Sequence, residues 1–388
     1  MTRRQVAAFR LARQHLDTRA AARALLAVVG QMGGAQAQVL SAAQISLWAR
    51  IGRLAAEHID TAIHERRLIR AWCMRHTLHL VPAEDLAVFV RGSAGRVERD
   101  VRWLRGKGMP DRTIEKIIAA ALEAMDQPLT RREIAGRMSR SLGVRLREHV
   151  GGGWGNRARI PAIVIGGMTI SIVWLFYLVG ARGVICSGPA RGAEPTYVRA
   201  DIWIPRWRDT PREEAEQRLL RRYLQTFGPG TPSEFAYWVG TPQREAQAIW
   251  TREESNLARV SVEGASAAVV RADVADLVEA PLIRLPVRLL PYFDAYLLGH
   301  RDRRHIVDAA NLKTVYSTQG WVAPVVLVDG RAAGTWSLTR ERGRLRIAVT
   351  PFAPFTRNIR TAIRREADDL GRFLGAAEVQ VQIAQPTA

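Results

Sequence analysis

The sequence has only three lysines and two cysteines. Cys73 and Cys186 lie far apart in apolar surroundings, and no group of cysteines and histidines has the spacing of metal ligands, which excludes a disulfide framework and a zinc site. We therefore expect neither a metal nor a cofactor. The N-terminus, MTRRQVAAFRLARQHL, has scattered charges and no apolar core with a cleavage site. It does not have the pattern of a secretion signal, so we expect a cytoplasmic protein.

Acidic residues are also few. The chain of 388 residues has 37 aspartates and glutamates against 57 lysines and arginines, a formal net charge of +20. A surplus of this size favours a polyanionic partner, with nucleic acid first and an anionic membrane second. Nearly all the basic residues are arginine, whose planar fork suits phosphates and base edges. The apolar content of 47% is that of a folded protein with several domains.

One long uncharged run, residues 160–181, is long enough to cross a bilayer. Pro161, Gly166 and Gly167 interrupt its first half, and its strongly apolar part covers only about ten residues. A single span would also place two basic halves on opposite sides of a membrane. We expect a buried core helix here, with a membrane-associated protein as the alternative.

Helix and strand patterns recur three times along the first 280 residues. Each version has helices with apolar residues at helical spacing, followed by two short strands, which is the order of a winged helix-turn-helix. Ser41, Thr130, Thr231 and Thr241 are the expected N-caps. The expected helices are 18–29, 41–54 and 55–65 in the first version, 111–125, the helix opened by Thr130 and 160–179 in the second, and 211–227 and those opened by Thr231 and Thr241 in the third. The expected strands are 67–72 and 77–81, 183–187 and 197–204, and 257–263 and 267–272.

Beyond residue 281 the pattern changes to strands. Asp329-Gly330 and Arg342-Gly343 are hairpin turn signals, and Thr356 is the expected N-cap of a charged amphipathic helix. We therefore predict an α+β protein with three tandem winged helix-turn-helix domains and a β-rich C-terminal domain closed by a helix. The predicted domains are residues 1–105, 106–208, 209–280 and 281–388.

Gln36-Ala37-Gln38 is the candidate catalytic motif. It follows Gly33-Gly34 and precedes an apolar helix. In an extended segment, side chains two residues apart point to one side, so both carboxamides could hold a single water or sugar. The alternative is a pair of solvated glutamines in a loop.

Five blocks of the chain, in order, closely resemble the winged-helix DNA glycosylases of the AlkZ type: GGAQAQVLSAAQISLWAR, AWCMRHTLHLVPAEDL, GPGTPSEFAYWVG, LPYFDAYLLGHRDR and VDGRAAGTWSL. The resemblance implies three winged helices and a C-terminal β-barrel-like domain that together form a concave basic scaffold for DNA. The motif of that family is Gln, an aliphatic residue and then Gln in the AlkZ branch or Asp in the other branch, and Gln36-Ala37-Gln38 fits the first pattern. It implies a catalytic role for Gln36 and Gln38.

The implied activity is that of a DNA glycosylase. Alkylation at N7 or N3 of a purine already makes the base cationic, so the base leaves as a neutral group and needs little acid catalysis. Two amides can then position water and stabilise the sugar cation. We expect a monofunctional enzyme, since no lysine lies near the motif and Lys107 is the nearest in sequence.

The expected substrates are cationic or bulky alkylated purines in double-stranded DNA, including N7-alkylguanine, N3-alkyladenine and interstrand cross-links. Such an enzyme would serve repair or self-resistance to a DNA-alkylating natural product, as a nucleoid-associated monomer without a membrane partner. A non-catalytic winged-helix regulator is the alternative.

Other polar residues are candidates for DNA contact or for the cleft. His79 alternates with apolar residues and could tie the strands together instead of reaching DNA. Asp294 and Tyr296 either line the cleft or are structural. The candidates for DNA contact are Arg75, His76, Arg303, Arg304, Arg342 and Arg344.

Overall fold

Helices and strands alternate along the chain, which confirms the α+β class. The computed structural model describes residues 1–153, 156–280, 286–341 and 343–385. The helices are α1 (Arg3–Arg13), α2 (Leu25–Gln31), α3 (Leu40–Trp48), α4 (Ala56–His64), α5 (Leu86–Gly92), α6 (Gly95–Gly106), α7 (Asp111–Ala124), α8 (Arg131–Leu142), α9 (Ile172–Leu178), α10 (Ala200–Trp203), α11 (Arg212–Phe227), α12 (Pro232–Val239), α13 (Gln243–Arg252), α14 (Val274–Val278), α15 (Ala295–Leu298), α16 (Leu312–Val315) and α17 (Arg357–Phe373).

The strands range from two-residue bridges to long hairpin arms. They are β1 (Ala20–Ala21), β2 (Ala35–Gln36), β3 (Ile51–Gly52), β4 (Leu68–Trp72), β5 (Leu78–Pro82), β6 (Leu129–Thr130), β7 (Arg145–Gly153), β8 (Asn156–Ile165), β9 (Met168–Ser171), β10 (Ile185–Ser187), β11 (Thr196–Arg199), β12 (Leu257–Val262), β13 (Ala265–Val270), β14 (Arg288–Leu290), β15 (Val325–Val328), β16 (Arg331–Glu341), β17 (Arg344–Pro351) and β18 (Glu378–Ile383).

The chain divides into two compact units that do not follow its linear order. The second unit comprises His64–Leu219 and Val239–Glu245. The first unit is assembled from three separate segments: Met1–Ile63, Leu220–Trp238 and Ala246–Ala388. The four-domain division by sequence stays a prediction.

The C-terminal part of the first unit is an open sheet with the strand order β14-β15-β16-β17-β18. Its strands pair antiparallel except β18, which lies parallel to β17. Asp329 and Gly330 both have positive φ, 48° and 79°, as a tight hairpin requires, so this predicted turn is confirmed. Thr356 caps α17 as predicted, by accepting a hydrogen bond from the amide of Ile359.

The expected barrel-like closure of this sheet is wrong. Among the described residues the first strand, β14, does not pair with the last, β18. Helix α17 packs against both of these end strands, so the helix spans the distance between the two edges that a barrel would join.

The N-terminal helix of the first unit packs against residues much later in the chain. Val6 and Phe9 of α1 share a core with Val269 of β13 and Leu277 of α14. Such long-range packing stabilises α1, a short helix that would be marginal by itself in water.

The second unit is built around a sheet in which five strands follow in the order β5-β4-β10-β11-β6. Strands β4 and β5 form the antiparallel ribbon predicted from the sequence, with Leu68 opposite Pro82 and Trp72 opposite Leu78. A hydrophobic core of this unit joins α7, α8 and α9 through residues such as Ile117, Ile134 and Leu175.

The apolar run of residues 160–181 does not form one helix, so that prediction is wrong for its first half. Strand β8 ends at Ile165, and Gly166 and Gly167, with φ of 56° and 75°, turn the chain into β9. Only then does α9 begin, capped by Ser171, whose hydroxyl accepts from the amide of Trp174. Within the described ranges, none of the helices has the length and apolar character that a membrane span needs.

Candidate active site

Gln36 and Gln38 lie on a short connection between α2 and α3. Ala35 and Gln36 form β2, so the motif begins in an extended conformation. Ala35 and Ala37 are fully buried, Gln36 is only 6% exposed and Gln38 is half-buried. The low exposure of Gln36 argues against two solvated loop glutamines, because such side chains normally stay in water.

Two glycines form the turn into the motif. Gly33 and Gly34 have φ of 78° and 81°, and the amide of Gly34 donates to the carbonyl of Val29 at 3.0 Å. A Cβ at position 33 would lie 3.1 Å from Cζ2 of Trp238 and 3.3 Å from Cε2 of Phe227. Both the backbone conformation and the tight contact therefore require glycine at position 33.

Helix α11 fixes the end of α2 that leads into this turn. Arg222 donates to the carbonyl of Gly30 at 2.7 Å, and the hydroxyl of Thr226 donates to the carbonyl of Gln31. Sequence reasoning missed Arg222 and Thr226, because they are almost two hundred positions from the motif and no local pattern indicates what they contact. They hold backbone carbonyls that precede the glutamines.

Helix α3 begins directly after the motif and lacks a side-chain cap. It starts at Leu40, and Val39 at the N-cap makes no side-chain hydrogen bond, so the prediction that Ser41 caps this helix is wrong. In contrast, Thr130 caps α8 in a reciprocal capping box with Glu133, and the hydroxyl of Thr231 accepts from an amide of α12. These predicted threonine caps are confirmed.

A buried ion pair anchors the C-terminal end of α3. Arg50 donates to Asp294 through two bonds of 2.7 Å each, and both side chains are completely buried. Ser46 of α3 donates to the same carboxylate at 2.6 Å, and Gln14 accepts from Arg50 at 3.2 Å. Because nearly every polar atom of the pair has a partner, the cost of burying the charges is offset.

Asp294 and Tyr296 are buried, which favours the structural alternative over a place in the lining of the cleft. Asp294 accepts the amide of Tyr296 and caps α15. The Tyr296 hydroxyl donates to the carbonyl of Gly330 at 2.9 Å. Burial raises the pKa of Tyr296 to about 12, so it stays neutral.

Arg75 and His76 occupy a tight turn between β4 and β5, with φ of 54° and 56°. The His76 ring stacks on Tyr177, with ring centroids 4.3 Å apart and planes at 10°. His79 in β5 is 2% exposed, and its Nδ1 lies 2.9 Å from the carbonyl oxygen of Thr77. Burial is the main cause that lowers the pKa of His79 to about 3, and the positive charge of Arg75 is the second cause. Its neutral, buried ring favours the strand-tying role. DNA contact by Arg75 and His76 stays a prediction.

The remaining predicted basic residues differ in how freely their charge faces solvent. Arg303 donates to the hydroxyl of Tyr237 and lies over the ring of Tyr316 at 3.8 Å, a half-buried, packed position. Arg304 is exposed and pairs with Asp302, and Arg344 is exposed and pairs with Glu378. Such exposed pairs break at little cost, so phosphates can compete for these arginines. Arg342 lies outside the described residues.

Nucleophilic and metal-dependent chemistry has little support in the described part of the chain. Burial raises the pKa of the Cys73 thiol well above its ordinary value and that of Cys186 to about 12, so neither forms the reactive thiolate. In the same ranges no group of three His, Cys, Asp or Glu side chains could hold a metal ion. Gln36 and Gln38 themselves offer neutral amides.

Comparison with known proteins identifies the family of this chain. The family model described as DNA glycosylase AlkZ-like matches residues 29–373. An interstrand DNA cross-link repair glycosylase of Streptomyces sahachiroi is 29% identical over 390 residues, which cover 98% of each chain. The structure of the Streptomyces sahachiroi DNA glycosylase AlkZ superposes with a TM-score of 0.82 at 26% identity, covering 99% of this chain and 100% of that one. The chain thus belongs to the AlkZ-like family of DNA glycosylases, hydrolases that act on N-glycosyl bonds.

Proposed function

We propose that this glycosylase excises purines made cationic by alkylation, such as N7-alkylguanine and N3-alkyladenine, from double-stranded DNA, with Gln36 and Gln38 as its catalytic residues. The observation that carries the proposal is the rigid, largely buried placement of the Gln36-Ala37-Gln38 segment. Its lead-in turn is fixed by Gly33 and α11, and the helix that follows it is anchored by the buried pair of Arg50 and Asp294. A site held this firmly can position a water molecule for attack.

The element order supports three winged helices, which we propose as the DNA-binding scaffold. Helices α2, α3 and α4 precede the ribbon β4-β5; helices α7, α8 and α9 precede β10-β11; and helices α11, α12 and α13 precede β12-β13. In each series a short strand or bridge lies between the first two helices, at β2, β6 and Gly230. After the second and third of these a threonine caps the next helix, whereas the first continues as Gln36-Ala37-Gln38-Val39.

This loss of a cap supports a functional role for the motif. A threonine N-cap is worth about 0.5–2 kcal/mol, so its absence before α3 sacrifices local stability. Sequences depart from such local rules mainly at functional sites. Gln36 and Gln38 lie in the connection that ends at the uncapped Val39, whereas the corresponding connections of the other two series end at a capping threonine.

The chemistry of an amide determines which bases can leave. Hydrolysis passes through an oxocarbenium-like sugar, and most glycosidases use one carboxylic acid for the leaving group and one carboxylate for water or sugar. An amide is a poor general acid and a poor general base at neutral pH, but its carbonyl oxygen can accept a hydrogen bond from water and direct its dipole at the developing cation. A leaving base that is already cationic departs neutral and needs no acid. Excision should therefore be slow for a neutral base.

Interstrand cross-links fit the same chemistry. The Streptomyces sahachiroi relative is named for cross-link repair, and a cross-link through purine nitrogens is a cationic, bulky lesion of the class proposed here. We propose that this protein shares that substrate and acts as a monofunctional enzyme in repair or in self-resistance to a DNA-alkylating natural product.

The test is base release from a duplex with one N7-alkylguanine. Wild-type protein should leave an abasic site that alkali converts to a strand break. Gln36→Ala and Gln38→Ala should each lower the single-turnover rate by about 10²–10³-fold, the range for removal of one preorganised polar group, with unchanged DNA binding. Gln44→Ala, which removes an amide of α3 that bonds Asp60 at 3.3 Å, is the matched control and should keep the wild-type rate. Equal excision of uracil, a neutral base, would contradict the mechanism.

A further inference from the structure

A cavity of about 820 Å³ lies within the first unit, beside the N-terminal half of α1. Strand β13, the start of α12 and the turn between β15 and β16 also contribute to its walls. Neither Gln36 nor Gln38 is among the described residues that line it. Cavities of about 300–1,000 Å³ are typical of sites for small organic ligands. This cavity is therefore distinct from the glutamine motif and large enough for a molecule of nucleotide size.

Arg10 is a buried cation in the wall of this cavity. It is 8% exposed, and its Nε and Nη2 donate to the carbonyls of Gly228 and Pro229 at 3.2 and 2.9 Å. These carbonyls lie just beyond the C-terminal end of α11, where the helix dipole supplies only partial negative charge. Arg10 forms no ion pair with a described residue, and its Nη1 has no hydrogen-bond partner among them. The guanidinium is thus buried without a full counter-charge.

Glu234, which also lines the cavity, does not neutralise Arg10. Burial lowers the pKa of Arg10, and the attraction of Glu234, the largest opposing effect, does not cancel this decrease. Oε1 of Glu234 instead lies 3.3 Å from Nδ1 of His300. Burial also raises the pKa of Glu234, which favours the neutral carboxyl group. Because buried charges in proteins are normally paired, the position of Arg10 favours an anion inside the cavity.

Three exposed arginines also line the cavity, each in an ion pair with an exposed carboxylate. The pairs are Arg3 with Glu263, Arg304 with Asp302, and Arg331 with Asp308. Such exposed pairs break at little cost. An anionic ligand can therefore attract these guanidinium groups in addition to that of Arg10.

The rest of the lining indicates what kind of molecule would carry the anionic group. Val6, Ala7 and Ala267 provide an apolar wall for a ring. Glu234 and Asp302 provide carboxyl oxygens that accept hydrogen bonds from N–H and O–H groups. A purine nucleotide has all three complementary parts: a flat ring, amino and hydroxyl donors, and a phosphate.

We propose that this cavity is a binding site for a free nucleoside monophosphate, whose phosphate pairs with Arg10 and whose base lies against the apolar wall. The phosphate supplies the counter-charge that Arg10 lacks among the described residues. Guanidinium and phosphate groups form strong, charge-assisted hydrogen bonds. The site goes beyond the proposed base excision and takes no part in bond cleavage.

The test is isothermal titration calorimetry of the intact protein with guanosine 5′-monophosphate. Wild type should bind one molecule with a Kd on the order of 10 µM, as expected for a ligand of about 24 heavy atoms with ordinary affinity per atom. Guanosine and inorganic phosphate should each bind at least about tenfold more weakly, because each makes only part of the contacts. A Kd above about 1 mM for guanosine 5′-monophosphate would overturn the proposal.

Two variants test the location of the site. Arg10→Met should weaken binding of guanosine 5′-monophosphate by about 10- to 100-fold through the loss of a charge-assisted hydrogen bond. Ala267→Phe fills the cavity and keeps Arg10, so it should also weaken binding, and the result does not depend on how well Arg10→Met folds. Circular dichroism verifies the fold of each variant.

The matched control is Arg13→Gln on the same helix. Arg13 pairs with Asp273 and Asp276 and is not among the residues that line the cavity, so this variant should bind guanosine 5′-monophosphate like wild type. If it weakens binding as much as Arg10→Met, the effect comes from disturbing α1. That outcome, or wild-type binding by Ala267→Phe, would refute the assignment.

A phosphate of DNA has the same anionic chemistry, so the titration is repeated with protein saturated with an undamaged duplex. Guanosine 5′-monophosphate should still bind with an unchanged Kd. If the duplex prevents its binding, the cavity belongs to the DNA-binding surface and the proposal fails. Base release is not measured in these titrations. Absence of glycosylase activity would therefore leave their outcome unchanged, and absence of nucleotide binding would leave the proposed activity intact.

Discussion

Replacing Asp294 by asparagine should destabilise the first unit strongly. The substitution keeps the shape of the side chain but leaves the guanidinium of Arg50 buried without a counter-charge, and both side chains are 0% exposed. Breaking a buried, hydrogen-bonded ion pair from one side costs about 3–5 kcal/mol. A cooperative unit of about 150–250 residues loses roughly 2–4 °C of melting temperature per kcal/mol, so we expect a decrease of about 10 °C.

The assay is thermal unfolding followed by circular dichroism, in parallel with base release at a temperature where the variant stays folded. The double variant Arg50→Met/Asp294→Leu replaces the pair by apolar groups and should recover a large part of the loss, because no unpaired charge remains. The control is Arg344→Gln, which breaks the exposed pair with Glu378 and should cost at most about 1 kcal/mol. If Asp294→Asn lowers the melting temperature no more than this control, the buried pair does not anchor α3 and the reasoning fails.

Three further predictions concern local features. Gly33→Ala should lower the melting temperature and slow base release, because alanine is strained at a φ of 78° and its Cβ would lie 3.1 Å from Trp238. Unchanged single-turnover kinetics would exclude a role for this turn in placing the motif. Thr130→Ala should cost about 0.5–2 kcal/mol in urea unfolding through the loss of a capping box, whereas Thr130→Ser should cost much less. The pKa of His79 is about 3 in the folded protein and has the ordinary value of 6.5 in the unfolded chain. The contribution of His79 to the free energy of unfolding is therefore retained above pH 6.5. It is lost by up to about 1.4 kcal/mol per pH unit as the pH falls toward 3. His79→Gln should flatten the dependence of melting temperature on pH in that window, and an equally steep dependence would show that His79 does not cause it.

Features coded by neighbouring residues were predictable from the sequence. The ribbon of β4 and β5 was predictable from the alternation of polar and apolar residues around His79, although every residue of β5 is buried in the structure. The caps Thr130 and Thr356 follow from a hydroxyl placed directly before a helical pattern. The break in helical structure before the Gln36-Ala37-Gln38 motif follows from the two glycines, Gly33 and Gly34.

Features that depend on distant residues were not predictable in this way. A continuous apolar run has no periodicity, so residues 160–181 could not be divided into hairpin and helix by pattern, although the adjacent glycines Gly166 and Gly167 were an available turn signal. The ion pair of Asp294 with Arg50 could not be predicted from a local pattern, because the two residues are 244 positions apart. The parallel pairing of β18, which helps to keep the C-terminal sheet open, also depends on tertiary contacts alone.

The packing of α1 against α14 has a consequence for synthesis on the ribosome. Arg13 of α1 bonds Asp273 at 2.6 Å, a contact between residues 260 positions apart. At an elongation rate of about 5–20 residues per second, α1 emerges on the order of ten to fifty seconds before its partner exists. During that interval its apolar side is open to solvent and to other chains, so we expect nascent chains of this protein to depend on chaperones early and to become protease-resistant only near completion.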